Sequence, residues 1–276
     1  MRYCGSRGLL AGLLLLTFFA VGAWADDTLT LQNSVYTNYV MGGVYTSPYE
    51  ITVNGTLEYL VCDDFTFNIP TVPYTWNATE ETINTVSGSN ARYASYPADY
   101  AVAAYLTNEL LSLGAPVSGN AGWDSELGGQ YSYAIWDVFD TGLLQNNPSS
   151  GEGALSITDL VAADNYLIQA LNTVTGSNCA AATVSSHNMS CVTNALNNPS
   201  TAVVSPTLYN YTVYTPDTAN GGNNSQEFIG TPMSIVGNNN SMPAAEPSYP
   251  AILGIDLLAV LGVIVAFRRR LVGLFN

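Results

Sequence analysis

Asn54-Gly55 stands between two β-prone runs, Tyr49-Glu-Ile-Thr-Val53 and Thr56-Leu-Glu-Tyr-Leu-Val61. No other local feature of the chain restricts its fold so strongly. A type I′ turn needs positive φ at both central residues, which Asn and Gly accept, and its twist matches that of two antiparallel strands. If Val53 pairs with Thr56, the period-two alternation of strand side chains puts Tyr49, Ile51, Val53, Leu60 and Cys62 on one face. That face is the expected core side, so Cys62 is expected to point inward.

Thr28 to Leu31, Ser34 to Val40 and Val44-Tyr45 continue in the same β-favouring vocabulary. The middle of the chain turns helical. Val102, Leu106, Leu110 and Leu113 form one stripe, with Pro97 near its start and Gly114 beyond its end. Leu127, Tyr131, Ala134, Ile135 and Val138 form a second. Ser156 with Asp159 reads as a capping box for a third, with Leu160, Val161, Leu167, Ile168 and Leu171 on one side before Gly176. Leu208 to Thr215 and Gln226 to Gly230 return to strand. This β, α, β order predicts a β-rich mixed α/β body over 26–235: an antiparallel β-sandwich or barrel-like sheet with a helical insertion at about 97–175, not a parallel α/β sheet. Residues 236–250, with Asn238-Asn239-Asn240 and scattered prolines, read as a flexible linker.

The charges are distributed unevenly. Arg2, Arg7 and Arg268 to Arg270 lie near the ends, so Arg92 is the only basic residue of the body, and the chain has no lysine. With a formal net charge of −15, such a chain repels phosphate backbones, and nucleic acid is excluded as a partner. The carboxylates serve solubility outside the cell, with divalent-cation association as the sharper alternative.

Both ends read as addresses. Arg2 and Arg7, the apolar Leu9 to Val21 and the small-x-small Ala23-Trp24-Ala25 make residues 1–25 a secretory signal peptide. Cys4 precedes the apolar run, so it does not mark a lipid anchor. Near the other end, Ala245-Glu246-Pro247-Ser248 is followed by an apolar run over 251–267 and by Arg268-Arg269-Arg270. At about 1.5 Å per residue this run barely spans a bilayer core of about 30 Å, and Asp256 inside it hinders insertion. The arginine triplet is expected to stay cytoplasmic, as part of a basic tail over 268–276. This arrangement resembles the PEP-CTERM sorting signal of bacterial exported proteins. It departs from that signal at Ala245, where the first proline stands in the family, at Asp256, and in the extra residues 271–276. The resemblance implies signal peptidase and an exosortase-like processing enzyme as partners. It implies at least transient membrane anchoring through the C-terminal helix, and a mature domain at the envelope surface or in the extracellular matrix, with exopolysaccharide or the envelope surface as the wider partner.

Three cysteines remain once the signal peptide is set aside. Cys179 and Cys191, across a polar segment, are the natural disulfide in an oxidising compartment, which leaves Cys62 unpaired. His187, the only histidine, lies between them with no second histidine for a metal or a triad, and no Gly-x-Ser-x-Gly elbow names a nucleophile. No cofactor or metal is expected. Asp63, Asp64, Glu80, Glu81, Asp124, Glu126, Asp137 and Asp140 could supply the paired carboxylates of glycoside hydrolysis, but that chemistry depends on a separation in space.

Leu60-Val61-Cys62-Asp63-Asp64-Phe65 and Gln130-Tyr131-Ser132-Tyr133-Ala134-Ile135-Trp136-Asp137-Val138-Phe139 carry a second resemblance. With Val44 to Tyr49, Asn54-Gly55 and Ala103 to Leu106, they are similar to the bodies of PEP-CTERM exported proteins. More distantly, they resemble the thioester domains of bacterial surface adhesins. The resemblance covers about 44–139. It implies a cysteine at the position of Cys62 bonded to a glutamine four residues before the Trp of Ala-Ile-Trp, and a thioester that reacts with a host nucleophile. Here the residue four before Trp136 is Ser132, which cannot supply an acyl group. Gln130 lies two residues earlier, about 200° around a helix of about 3.6 residues per turn. Cys62, Gln130, Ser132 and Trp136 are thus the remnant of such a site, with Cys62 expected as a buried small hydrophobe beneath Trp136. The sequence predicts a non-enzymatic exported surface or matrix protein. The alternatives are a covalent adhesin using Cys62 and Gln130, and a secreted carbohydrate-active enzyme using paired carboxylates.

Overall fold

The computed structural model describes residues 27–31, 40–65, 73–113, 125–144, 153–184, 189–197, 208, 211–217 and 225–230. All of the described residues belong to one compact unit, Met1–Ile235. The expected signal peptide, linker, sorting motif, apolar run and arginine stop, and also His187 and Asp124, lie outside the described residues. No helix among the described residues is long and apolar enough to cross a membrane.

Strands β1 (Asp27–Leu31), β2 (Val40–Met41), β3 (Val44–Tyr45), β4 (Tyr49–Val53), β5 (Thr56–Cys62) and β6 (Tyr74–Thr82) come first. Helices α1 (Pro97–Ser112), α2 (Ser125–Phe139), α3 (Ile157–Thr175) and α4 (Met189–Asn197) follow, then β7 (Thr212–Pro216) and β8 (Phe228–Gly230). Six strands close an antiparallel barrel in the order β1-β4-β5-β8-β7-β6, while β2 and β3 form a separate ribbon. The fold is mixed α/β, and the barrel-like alternative of the sequence reading is the one adopted. The balance differs from the expected β-rich body, since the four helices hold more of the described residues than the strands do.

The hairpin register is the one the turn predicts. Val53 pairs with Thr56 and Tyr49 with Leu60, and Asn54 and Gly55 take φ of 50° and 84°. One face of every barrel strand meets inside: Leu29, Leu31, Ile51, Val53, Leu60, Cys62, Trp76, Ala78, Tyr214 and Phe228 form one cluster, with Tyr49 packed against it. A six-stranded barrel is narrow enough for side chains to fill it. Strand β5 is buried on both faces, because the alternate residues Tyr59 and Val61 join the second core beneath the helices. A continuous apolar run is what such a strand needs.

Helix α1 starts with proline in its first turn and is buried nearly all round, packing against α2, α3 and β8. Small side chains at Ala98, Ala101, Ala103 and Ala104 allow that close approach. Leu113 does not complete the expected stripe; it falls just past the helix and is 42 % exposed. Ser156 caps α3, its Oγ accepting from the Asp159 amide at 3.2 Å. Gly176 ends that helix at φ 70°, a left-handed position that glycine takes without a Cβ penalty. The helical region extends past the expected limit near 175, because α4 carries Cys191 in its first turn. Its disulfide to Cys179 ties α4 to the segment that follows α3. The chain also contains a nine-residue strand, β6, that the periodicity did not announce.

Candidate functional site

The end of β5 is where the two sequence signatures meet. Cys62 is fully buried and is the one free cysteine among the described residues. Its Sγ donates to the Asp64 carbonyl at 3.1 Å. The Trp136 indole N–H donates to the Cys62 carbonyl at 2.9 Å, and Phe65 and Tyr133 pack on the indole with ring centroids at 5.2 and 5.0 Å. Burial, and then the charge of Asp63, push the thiol pKa well above its ordinary value. The thiolate is the nucleophilic form, so this cysteine is held unreactive.

Ser132 reaches the same strand through one intermediary. Its Oγ accepts from the Ser47 amide at 2.9 Å and donates to the Gly128 carbonyl at 2.9 Å, while the Ser47 hydroxyl accepts from the Cys62 amide at 3.1 Å. Helix α2 therefore presents position 132, and not position 130, towards the Cys62 strand. Gln130 turns instead to the cap of α3, its Nε2 donating to Asp159 at 2.9 Å. The structure brings Cys62, Ser132 and Trp136 together and leaves Gln130 on the other side of the helix.

Just beyond Cys62 lies a second constellation, in which Asp63 and Asp64, named in the sequence among the candidate acids, meet Arg92 and Glu227, a grouping the sequence did not announce. Asp63, Asp64 and Glu227 are 0 %, 1 % and 0 % exposed. Arg92 forms an ion pair with Asp64, donates from its other terminal nitrogen to the Ser225 carbonyl at 3.0 Å, and donates through its backbone N–H to Glu227 at 3.0 Å. Glu227 also accepts from the hydroxyls of Tyr100 and Thr215. Among the described residues no donor reaches either oxygen of Asp63. Burial, then the charges of Glu227 and Asp64, hold its pKa well above the carboxylate range. The signal that could have found this cluster was Arg92, the sole basic residue of an acidic body; a lone cation among buried acids is expected to be paired.

The remaining carboxylates fall into separate sets. Glu58, 4 % exposed, accepts from the Tyr214 hydroxyl at 3.2 Å, and burial lifts its pKa to about 7. Partial burial of its carboxyl, and then neighbouring Asp27, lift Glu80 to about 7. Asp137 accepts from the amides of Gly142 and Leu144 at 3.0 and 3.1 Å, closing the turn after α2, and burial raises it to about 6. Glu126 stands 3.5 Å from the Gln130 amide nitrogen and Glu81 3.4 Å from the Thr85 hydroxyl. Among the described residues no group of three or more acids, histidines or cysteines is placed to hold a metal ion.

No protein-family model, curated protein or solved structure matches the chain.

Proposed function

We propose that this chain is a non-enzymatic exported protein of the envelope surface or extracellular matrix, whose body acts as a stable scaffold without a covalent bond to its partner. One observation carries the reading. Where α2 meets the Cys62 strand it offers the hydroxyl of Ser132, while Gln130, the nearby side chain with an acyl group to give, is bonded to Asp159. The thiol beneath Trp136 is buried and held protonated, which favours the role of a core side chain. The Cys179–Cys191 disulfide supports an oxidising destination. Delivery rests on the two ends: removal of residues 1–25 by signal peptidase, and transient anchoring by 251–267 with processing near Ala245-Glu246-Pro247-Ser248.

Intact mass of the protein secreted by its own producing cells tests each part. The expected species begins after Ala25, lacks the apolar run and arginine stop, and contains one disulfide and one free thiol. A mass lower by one ammonia, located to a Cys62–Gln130 crosslink, overturns the non-covalent reading. A mature chain that still carries 252–276 overturns the sorting reading.

A further inference from the structure

The cluster beyond Cys62 has more acids than donors. Among the described residues the side-chain oxygens that accept here are those of Asp64 and Glu227: the Arg92 guanidinium donates to Asp64, and the Arg92 amide, Tyr100 and Thr215 donate to Glu227. Asp63 is fully buried with no donor from these residues on either oxygen, and Glu227 is its acceptor neighbour. A buried carboxyl with no donor is tolerated when it is neutral and gives its own proton to an acceptor. Asp63 also lies where the barrel closes. Its amide bonds to the Glu227 carbonyl at 3.3 Å, and β8 is a three-residue strand that, among the described residues, pairs with β5 at Val61↔Ile229 and Cys62↔Phe228.

We propose that Asp63 and Glu227 form a proton-loaded clasp that holds β8 against β5, closed while Asp63 carries its proton and loosened when it loses it. The groups facing Asp63 are Glu227 from β8, Cys62 and Asp64 from its own strand end, Arg92 and Tyr93 from the segment before α1, and Tyr100 from α1. Arg92 is the one cation among them, and it is already paired with Asp64. A second negative charge beside Glu227 would have to share this one guanidinium with Asp64 and Glu227, and the shortest strand of the seam is the element that gives way. Burial and the neighbouring charges raise the Asp63 pKa in the closed form, while an opened seam returns it towards about 4. The closed form thus binds the proton more tightly. Acid tightens the clasp, and rising pH loosens it.

Cys62 reports on the seam, because it is buried opposite Phe228. The test is alkylation of the folded full chain with iodoacetamide from pH 5 to 7.5, located to Cys62 by peptide mass spectrometry. Each rate is divided by that of the same cysteine in the unfolded chain, which removes the thiolate fraction. The expected corrected rate rises about tenfold per pH unit, as release of one proton on opening requires. In Asp63→Asn that factor of about ten per unit disappears, leaving only protons released elsewhere. A corrected wild-type rate that does not change with pH overturns the proposal, and so does an unchanged slope in Asp63→Asn. If the variant does not fold, amide exchange of the wild type at Val61, Cys62, Phe228 and Ile229, corrected for intrinsic rates, decides alone. Protection falling with pH supports the clasp, and constant protection refutes it.

Discussion

Replacing Arg92 by methionine removes the only positive charge of the body while keeping an apolar stem of similar length. Three buried carboxyl groups surround its position, and the substitution deletes the ion pair with Asp64 and the bond to the Ser225 carbonyl. The backbone bond to Glu227 survives. Breaking a buried pair by removing one partner costs about 3–5 kcal/mol, because the other charge is left uncompensated. The Arg92 side chain is 20 % exposed, so solvent screens part of the interaction and about 3 kcal/mol is expected at pH 8. For a domain of this size that corresponds to a Tm lower by roughly 6–12 °C. The loss should shrink as pH falls towards 5, because carboxyls that have lost their counter-ion take up protons more readily and shed the repulsion. Urea unfolding followed by tryptophan fluorescence at both pH values measures it. A loss below about 1 kcal/mol at pH 8 would class Arg92 as an ordinary surface pair and refute the argument. A loss that stays the same at pH 5 would refute the charge-based account of it.

Two further substitutions probe neighbouring parts of the barrel. Glu58 has its pKa raised to about 7, so its protonated form adds stability below the unfolded value near 4 and that stability is lost as pH rises through 7. Glu58→Gln keeps an acceptor for Tyr214 and should be more stable than wild type by about 2–3 kcal/mol at pH 8, the advantage vanishing near pH 4; equal stability at pH 8 in chemical denaturation would contradict this. Ser132→Ala strands the buried Ser47 amide and should cost about 1–3 kcal/mol, with faster amide exchange at Ser47 as its local signature; a neutral result would mean that the link between α2 and the Cys62 strand is unimportant.

The parts of the fold legible in the sequence depend on neighbours a few residues apart. The I′ turn at Asn54-Gly55 determines the β4–β5 register and with it the inward face of Cys62. Ser156, Asp159 and Gly176 bound α3 through bonds closed within one helical turn. Cys179 and Cys191 are the two cysteines left by a short loop. Gln130 and Ser132 are separated by helical geometry alone, and that places them on different sides of α2. Strand β6 was missed because it reads Tyr-Thr-Trp-Asn-Ala-Thr-Glu-Glu-Thr, with a weakly apolar inner face that only the closed barrel completes. The helix α4 around Cys191 was hidden in a polar stretch.

What tertiary structure alone decided is the meeting of distant segments. Closure of the barrel brings β8 to β5 and Glu227 to Arg92 across 135 residues of sequence, and no local pattern encodes that approach. A carboxylate in sequence is only an acid. Whether it is solvated, paired or forced to keep its proton depends on which donors the fold delivers to it, and none of the described residues delivers one to the Asp63 carboxyl.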